Sequence, residues 1–333
     1  MTLRTSLVVL LAVAGICRVA NAQKASVTVH VTDEDGQAIS NALVSAGFAT
    51  MIKPGWGWGS GRPNTVKGYT DTNGMCSLIG DGNGGEVGIA VMKAGYYGSG
   101  GFNIIFTNTT GIVLKKWQPW NPTIEVVLKR IGQPVPMYAR RVCCLKIPVI
   151  GEAVGFDLIR SDWVAPYGRG EICDFLFTWV AKPERTVTTR YGEQRLFDLN
   201  LSVSFSNEGD GIIPLPPIRR HEGSALRLDR QVPLTGYQSN VVKRIYNAEN
   251  QPPQSNISGD QNYFFRVRTK RDGEGKVASA LYGKIYGDFQ FDAGWRITFT
   301  YYVNPTPNDR NVEFDPRQNL FKDLSPEEEV TDP

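Results

Sequence analysis

The sequence predicts an all-β protein built as two sandwiches in series. Three observations carry that expectation. Apolar and polar residues alternate with period two in several short runs, the pattern of strands with one face in a core and one in water. Turn-forming Asp, Asn, Gly and Pro residues separate those runs, and the 333 residues include 35 Gly and 20 Pro. No long stretch repeats its apolar residues at helical spacing.

The chain opens with a short segment bearing one positive charge, Arg4, followed by an uncharged apolar run from Leu7 to Ile16. A membrane-spanning helix needs about 20 such residues, so the run is too short for that. Arg18 closes it, and Ala20-Asn21-Ala22 offers the small residues of a signal-peptidase site. Residues 1–22 are therefore read as a signal peptide, with cleavage near Ala22 and a secreted or periplasmic mature chain. Cys17 follows Ile16 rather than a small residue, which argues against a lipid anchor.

Cleavage would remove two of the 36 basic residues, Arg4 and Arg18, and none of the 33 acidic ones. The remainder is nearly neutral and lacks the basic footprint that duplex nucleic acid demands. No later segment has transmembrane length. Cys76, Cys143, Cys144 and Cys173 are disulfide candidates in an oxidising compartment. Neighbours on a strand face opposite ways, so one of Cys143 and Cys144 is expected to reach Cys173, the other facing Cys76 or staying free. A zinc site lacks both the ligand spacing and the histidines, since only His30 and His221 exist.

In the first segment, residues 24–130, Val27, Val29 and Val31 alternate with Thr28, His30 and Thr32. Asp33-Glu34-Asp35-Gly36 is a turn, and Ala42 to Ala46 is a second strand. Asp71-Thr72-Asn73-Gly74 reads as a hairpin turn between strands at 65–70 and 75–79. Val87 to Lys93 and Ile124 to Lys129 complete the pattern. Asp71-x-Asn73-Gly74 and Asp81-x-Asn83-Gly84 each match half of a calcium loop, but neither reaches a closing Glu, and turn chemistry accounts for both.

The run VTVHVTDEDGQAISNALVSA, then YTDTNGMCSL and VMKAGYYG, resembles a carboxypeptidase regulatory-like domain. The likeness covers about a third of the chain. It implies a seven-stranded, prealbumin-like β-sandwich with an accessory or adhesive role and no catalysis. An insert at 49–64, rich in Gly and Trp, departs from the pattern. Trp56 and Trp58 within it either stack on sugars or a protein partner, or fold back on the sandwich. Tyr96, Tyr97, Trp117 and Trp120 are the aromatic residues that would extend such a surface.

A Pro-Gly joint, Ile131 to Pro136, marks a boundary. Residues 131–321 again read as strands, among them Leu199 to Phe205, Asn262 to Thr269, Val277 to Phe291 and Arg296 to Val303. A larger antiparallel sandwich or jelly roll fits them. The last residues, 322–333, read as an acidic flexible tail. No nucleophile elbow or phosphate loop occurs. Asp157, Asp162, Glu171 and Asp174 crowd one short stretch with Arg160 and Arg169. Such carboxylates serve either as the acid and base of a glycosidase or as a structural charge network. The basic loop Arg219-Arg220-His221 is read as a solvated surface. Three functions follow: a secreted non-catalytic module binding a glycan or cell-surface protein; a polysaccharide-active enzyme using those carboxylates; or a structural subunit of an extracellular assembly. No cofactor is implied.

Overall fold

The computed structural model describes residues 23–50, 62–107, 116–190, 192–219 and 222–333. The signal segment, Trp56 and Trp58, and Arg220 with His221 lie outside the described residues. No described helix is long and apolar enough to cross a membrane. The protein is an all-β sandwich structure, as the alternation predicts.

The first sandwich uses β1 (Gln23–Asp33), β2 (Leu43–Phe48), β3 (Asn64–Tyr69), β4 (Met75–Gly82), β5 (Glu86–Met92), β6 (Ser99–Ile105) and β7 (Thr123–Leu128). One sheet has the order β4-β1-β7, with β1 antiparallel to β4 and parallel to β7. The other runs β6-β5-β2-β3. Val27, Val29 and Val31 are fully buried against Val44, Ala46, Val87, Ile89 and Val91 of the facing sheet. The turn at 71–74 forms as its residues demand. The Asp71 carboxylate accepts the amides of Asn73 and Met75, both at 2.9 Å. Gly74 has φ +75°, and a Cβ there would lie 2.4 Å from the Val31 carbonyl oxygen. It is not a hairpin, however. Strand β3 pairs with β2 and β4 with β1, so this turn carries the chain from one sheet to the other.

The second sandwich packs two larger sheets face to face. In sheet order, one has β10 (Asp162–Trp163), β9 (Ala153–Asp157), β11 (Phe175–Thr189), β12 (Gly192–Ser204), β15 (Asn240–Asn247) and β16 (Gln254–Ser255). The other has β13 (Gly211–Pro214), β17 (Tyr263–Arg271), β18 (Val277–Phe291), β19 (Arg296–Asn304) and β8 (Tyr138–Lys146). Phe156, Phe175, Phe177, Phe265, Phe289 and Phe299 form a chain of mostly edge-to-face rings between them, an arrangement aromatic quadrupoles favour.

The five-stranded sheet is buried on its other face too. Phe264, Tyr282, Tyr286 and Tyr302 point there and meet Leu228, Val232, Val312, Phe314 and Val330 from irregular segments. Lys284 lies on this face, fully buried, its Nζ donating to the Tyr286 hydroxyl at 3.2 Å. The Tyr286 and Tyr302 ring centroids stand 4.5 and 4.7 Å from the amine.

Residues 322–333, expected as a flexible tail, instead pack onto this layer. Glu328 pairs with Arg140, and Asp332 with Arg227. The Arg141 amide donates to the Glu328 carbonyl at 2.9 Å, and the Tyr286 hydroxyl donates to the Pro333 carbonyl at 2.7 Å. The acidic composition that reads as solvated is here neutralised by arginines from elsewhere in the chain. The segment also covers β8, an edge strand whose free backbone groups need a partner.

The two sandwiches have separate cores, one drawn from residues 25–128 and the others from 137–330. One contact crosses the division as a ladder: β14 (Gly223–Ser224) pairs with Ser99 and Gly100 at the edge of β6. The polar joint centres on Glu313, which is 1% exposed. It accepts the Gly132 amide and the Tyr97 hydroxyl, each at 2.8 Å, and the Gln133 amide at 3.0 Å. A Cβ at position 132 would stand 2.6 Å from the Glu313 Oε2, so a side chain there would have to displace that carboxylate. Arg230 reaches Glu313 at 3.5 Å and Glu34 of the first sandwich at 2.9 Å. Tyr97→Phe deletes one charge-assisted bond and is expected to lower stability by about 1.5–3 kcal/mol, measured by urea denaturation. An unchanged midpoint would mean that the backbone amides and Arg230 hold Glu313 without the tyrosine.

Candidate functional site

The acidic stretch folds around two of its four carboxylates. Asp157 ends β9 and Asp174 precedes β11, and both meet the Arg268 guanidinium of β17, from the opposite sheet. A register shift in β17 follows Val267, and Arg268 takes φ +55°. Such a bulge re-aims the side chain that an ideal strand would send elsewhere. Arg268 Nε donates to Asp174 Oδ1 at 2.8 Å; its Nη2 donates to Asp174 Oδ2 at 2.8 Å and to Asp157 Oδ1 at 2.9 Å.

The remaining lone pairs go to backbone. Asp157 accepts the amides of Ile159, Arg160, Glu171 and Ile172, each at 3.0 Å. Asp174 accepts the Leu158 amide at 2.9 Å. Burial pushes Asp157 up, but the amides of Ile172, Arg160 and Glu171 together with Arg268 outweigh it and hold the group below 3.8. At Asp174 burial exceeds the pull of Arg268, and its pKa is raised. Two carboxylates with pKa values driven apart are the signature of an acid–base pair. Here every oxygen of both is already hydrogen-bonded and one guanidinium spans them. The arrangement binds the β9–β11 connection to the facing sheet.

Asp162 and Glu171 stand apart from this pair. Asp162 accepts the Arg169 amide at 3.0 Å and closes its own loop. Glu171 is exposed and pairs with Arg160 at 2.7 Å.

Arg268 also lines a groove of about 630 Å³. Glu171, Cys173, Asn207, Asp210, Lys270 and Ser279 are among its walls. Asn207 Nδ2 donates to Asp210 Oδ1 at 3.1 Å and to the Thr269 carbonyl at 2.8 Å, and Asp210 accepts the Thr269 amide at 2.8 Å. Burial raises the Cys173 thiol above its ordinary value. The Thr269 hydroxyl is buried without a hydrogen-bond partner. The surface is thus rich in hydrogen-bonding groups whose full charges are largely engaged with one another. Among the described residues no three His, Cys, Asp or Glu side chains are grouped as metal ligands would be.

The aromatic residues do not assemble into one surface. Trp117 is fully buried against Phe106 in the first core. Tyr97 is spent on Glu313, and the Tyr96 ring lies 5.4 Å from the Arg130 guanidinium. Trp120 is partly exposed beneath the Lys116 ammonium, 4.4 Å from its ring centroid. Trp56 and Trp58, the centre of that expectation, fall outside the described residues.

The four cysteines are free, so the expected disulfides are not formed. Cys76 is in the first core and Cys173 on the groove wall, while Cys143 and Cys144 are exposed on β8. Cys143 and Cys144 do not face opposite ways: their sulfurs lie 3.4 Å apart.

Sequence reading missed Arg268, Lys284 and Glu313. A signal existed for the first, since Arg266 and Arg268 interrupt the apolar run of β17 on alternate positions. Nothing in composition marks Lys284 or Glu313 as buried.

No family model matches the sequence, and no curated protein matches it. Among solved structures, 3-chlorocatechol 1,2-dioxygenase from Rhodococcus opacus 1CP is similar over 33% of this chain and 61% of its own, at 13% identity and a TM-score of 0.24. The matched part is less than two thirds of that enzyme, and a likeness of this size says nothing of function.

Proposed function

We propose that this chain is an exported, non-catalytic binding module whose groove beside Cys173 and Arg268 receives a glycan. The observation that carries this reading is the closed Asp157–Arg268–Asp174 node. Its carboxylates are consumed by structure, and the adjoining groove offers hydroxyl, amide and amine functions beside the Glu171 and Asp210 carboxylates. Such a surface suits a neutral polyhydroxylated ligand, whose recognition depends on hydrogen bonds held by rigid walls. The signal-like first 22 residues and the resemblance to accessory domains point the same way.

The test is a glycan array followed by calorimetry on the mature protein. Ser206→Trp, at the exposed rim of the groove, is expected to abolish binding without loss of folding. The Trp56→Ala/Trp58→Ala double variant is expected to bind as the parent does. The reverse pattern would move the site to that loop. Release of new reducing ends from a bound polysaccharide would replace the binding reading by an enzymatic one.

A further inference from the structure

We propose that Cys143 and Cys144 are an oxidisable vicinal pair that closes into a disulfide between adjacent residues. On an ideal strand two neighbours point to opposite faces. The pairing of β8 with β19 breaks that rule here. Leu145 is opposite Ile297 and Val142 opposite Phe299, so Cys143 and Cys144 together face the single residue Thr298. This is a bulge, two residues against one. Cys144 takes φ +54°, a left-handed conformation uncommon for a residue with a side chain. Its amide donates to the Thr298 hydroxyl at 3.0 Å, which holds the bulge in place.

The consequence is two exposed thiols on one side of the strand with sulfurs 3.4 Å apart. Closing the bond requires a further approach of both sulfurs to about 2.05 Å, in a strained ring, because the intervening trans peptide holds the two Cα atoms about 3.8 Å apart. Arg141 and Arg296 both act electrostatically on this pair, opposed by Glu327. The adjacent Cys144 sulfur and burial outweigh Arg141 and raise the Cys143 thiol above its ordinary value, while the two cations favour the approach of an anionic oxidant. The other described thiols are worse partners, Cys76 being in the first core and Cys173 half-buried on the groove wall.

The oxidant is a low-molecular-weight disulfide of the kind present where secreted proteins fold. One thiolate attacks a sulfur of glutathione disulfide, forming a mixed disulfide and releasing one glutathione thiolate. The second thiol loses its proton to solvent, and its thiolate attacks the protein-side sulfur of that mixed disulfide, releasing the second glutathione. Two protein thiols become one disulfide, and one glutathione disulfide becomes two glutathiones.

The test uses the full mature chain treated with glutathione disulfide, alkylated with N-ethylmaleimide and digested with trypsin without reduction. The peptide from Val142 to Lys146 is expected to lose both alkylatable thiols and to weigh two hydrogens less than its dithiol form. Cys143→Ser and Cys144→Ser, both at exposed positions, are each expected to stop at a stable mixed disulfide on the remaining cysteine. A peptide that stays doubly alkylated, that keeps glutathione, or that is cross-linked to Cys76 or Cys173 would overturn the proposal.

Discussion

Replacing Arg268 by methionine is expected to lower the stability of the second sandwich by about 3–5 kcal/mol at neutral pH, the usual cost of stripping a buried ion pair of one partner. The guanidinium is the counter-charge of two carboxylates, and Asp174 is 1% exposed. Methionine keeps most of the volume, so the loss reports charge rather than a cavity. The pH dependence carries the diagnosis. In the parent, Asp157 is depressed in the folded state. Its contribution is therefore present above 3.8 and lost as pH falls through the lower folded value. Asp174 is raised, so it costs stability at neutral pH, and that cost fades as pH falls through its folded value towards 3.8. Without Arg268 both groups rise, and each takes up its proton earlier on acidification. The deficit of the variant should thus be largest near neutrality and narrow towards pH ~4. Urea denaturation of both proteins across that range measures it. Arg268→Lys should recover only part of the loss, because an ammonium cannot make the forked contact. A deficit that does not change with pH would show that the node contributes packing alone.

Lys284→Met is expected to act in the opposite direction, raising stability by about 1–4 kcal/mol at neutral pH, as apolar replacement of buried charge commonly does. Burial pushes the Lys284 amine well below 10.5, more than the Glu313 and Asp332 carboxylates can restore. Tyr286 keeps its bond to the Pro333 carbonyl when the amine is gone. Here too the sign can be checked. Between the depressed folded value and 10.5 the unfolded chain binds more protons, so the stability of the parent rises with pH in that window. The advantage of the variant should be greatest at its lower end and fade towards 10.5. Denaturation midpoints in alkaline buffers would reveal this, and a destabilised variant would mean that the amine's bond to Tyr286 outweighs its burial.

What was legible in the sequence was local. Alternation around Val27 placed β1, and the Asp71 carboxylate folded back on its own loop as the residue types require. Which sheet the next strand would join is not local, and the 71–74 turn proved to be a crossing between sheets. Strand β6, reading SGGFNII, has little intrinsic strand character and exists because β5 offers it an edge. Trp117 and Trp120 are three residues apart in similar company. One is packed behind Gly82, whose missing side chain leaves room for the indole, and the other sits under a lysine at the surface. The acidic stretch was located correctly as a cluster. Its partner lies 94 and 111 residues downstream of Asp174 and Asp157, a pairing that no spacing rule reaches. The cysteine pair failed for a related reason: a bulge is set by the register of the facing strand, and that strand is far off in sequence.

The pairing of β8 with β19 also dictates a timetable. Emerging from its N-terminus, the chain can complete the ladders of β1 to β7 once residue 128 is available, apart from the short β14 that later caps β6. The second sandwich has no such early solution. Its strand β8 waits with an apolar face until residues 296–304 exist, and then until the 322–333 segment arrives to cover its free edge. Closing so long a loop before any contact rewards it makes for slow folding. The nascent second half is therefore the part of this molecule most in need of a chaperone, and the part where truncation near the end should do the most harm.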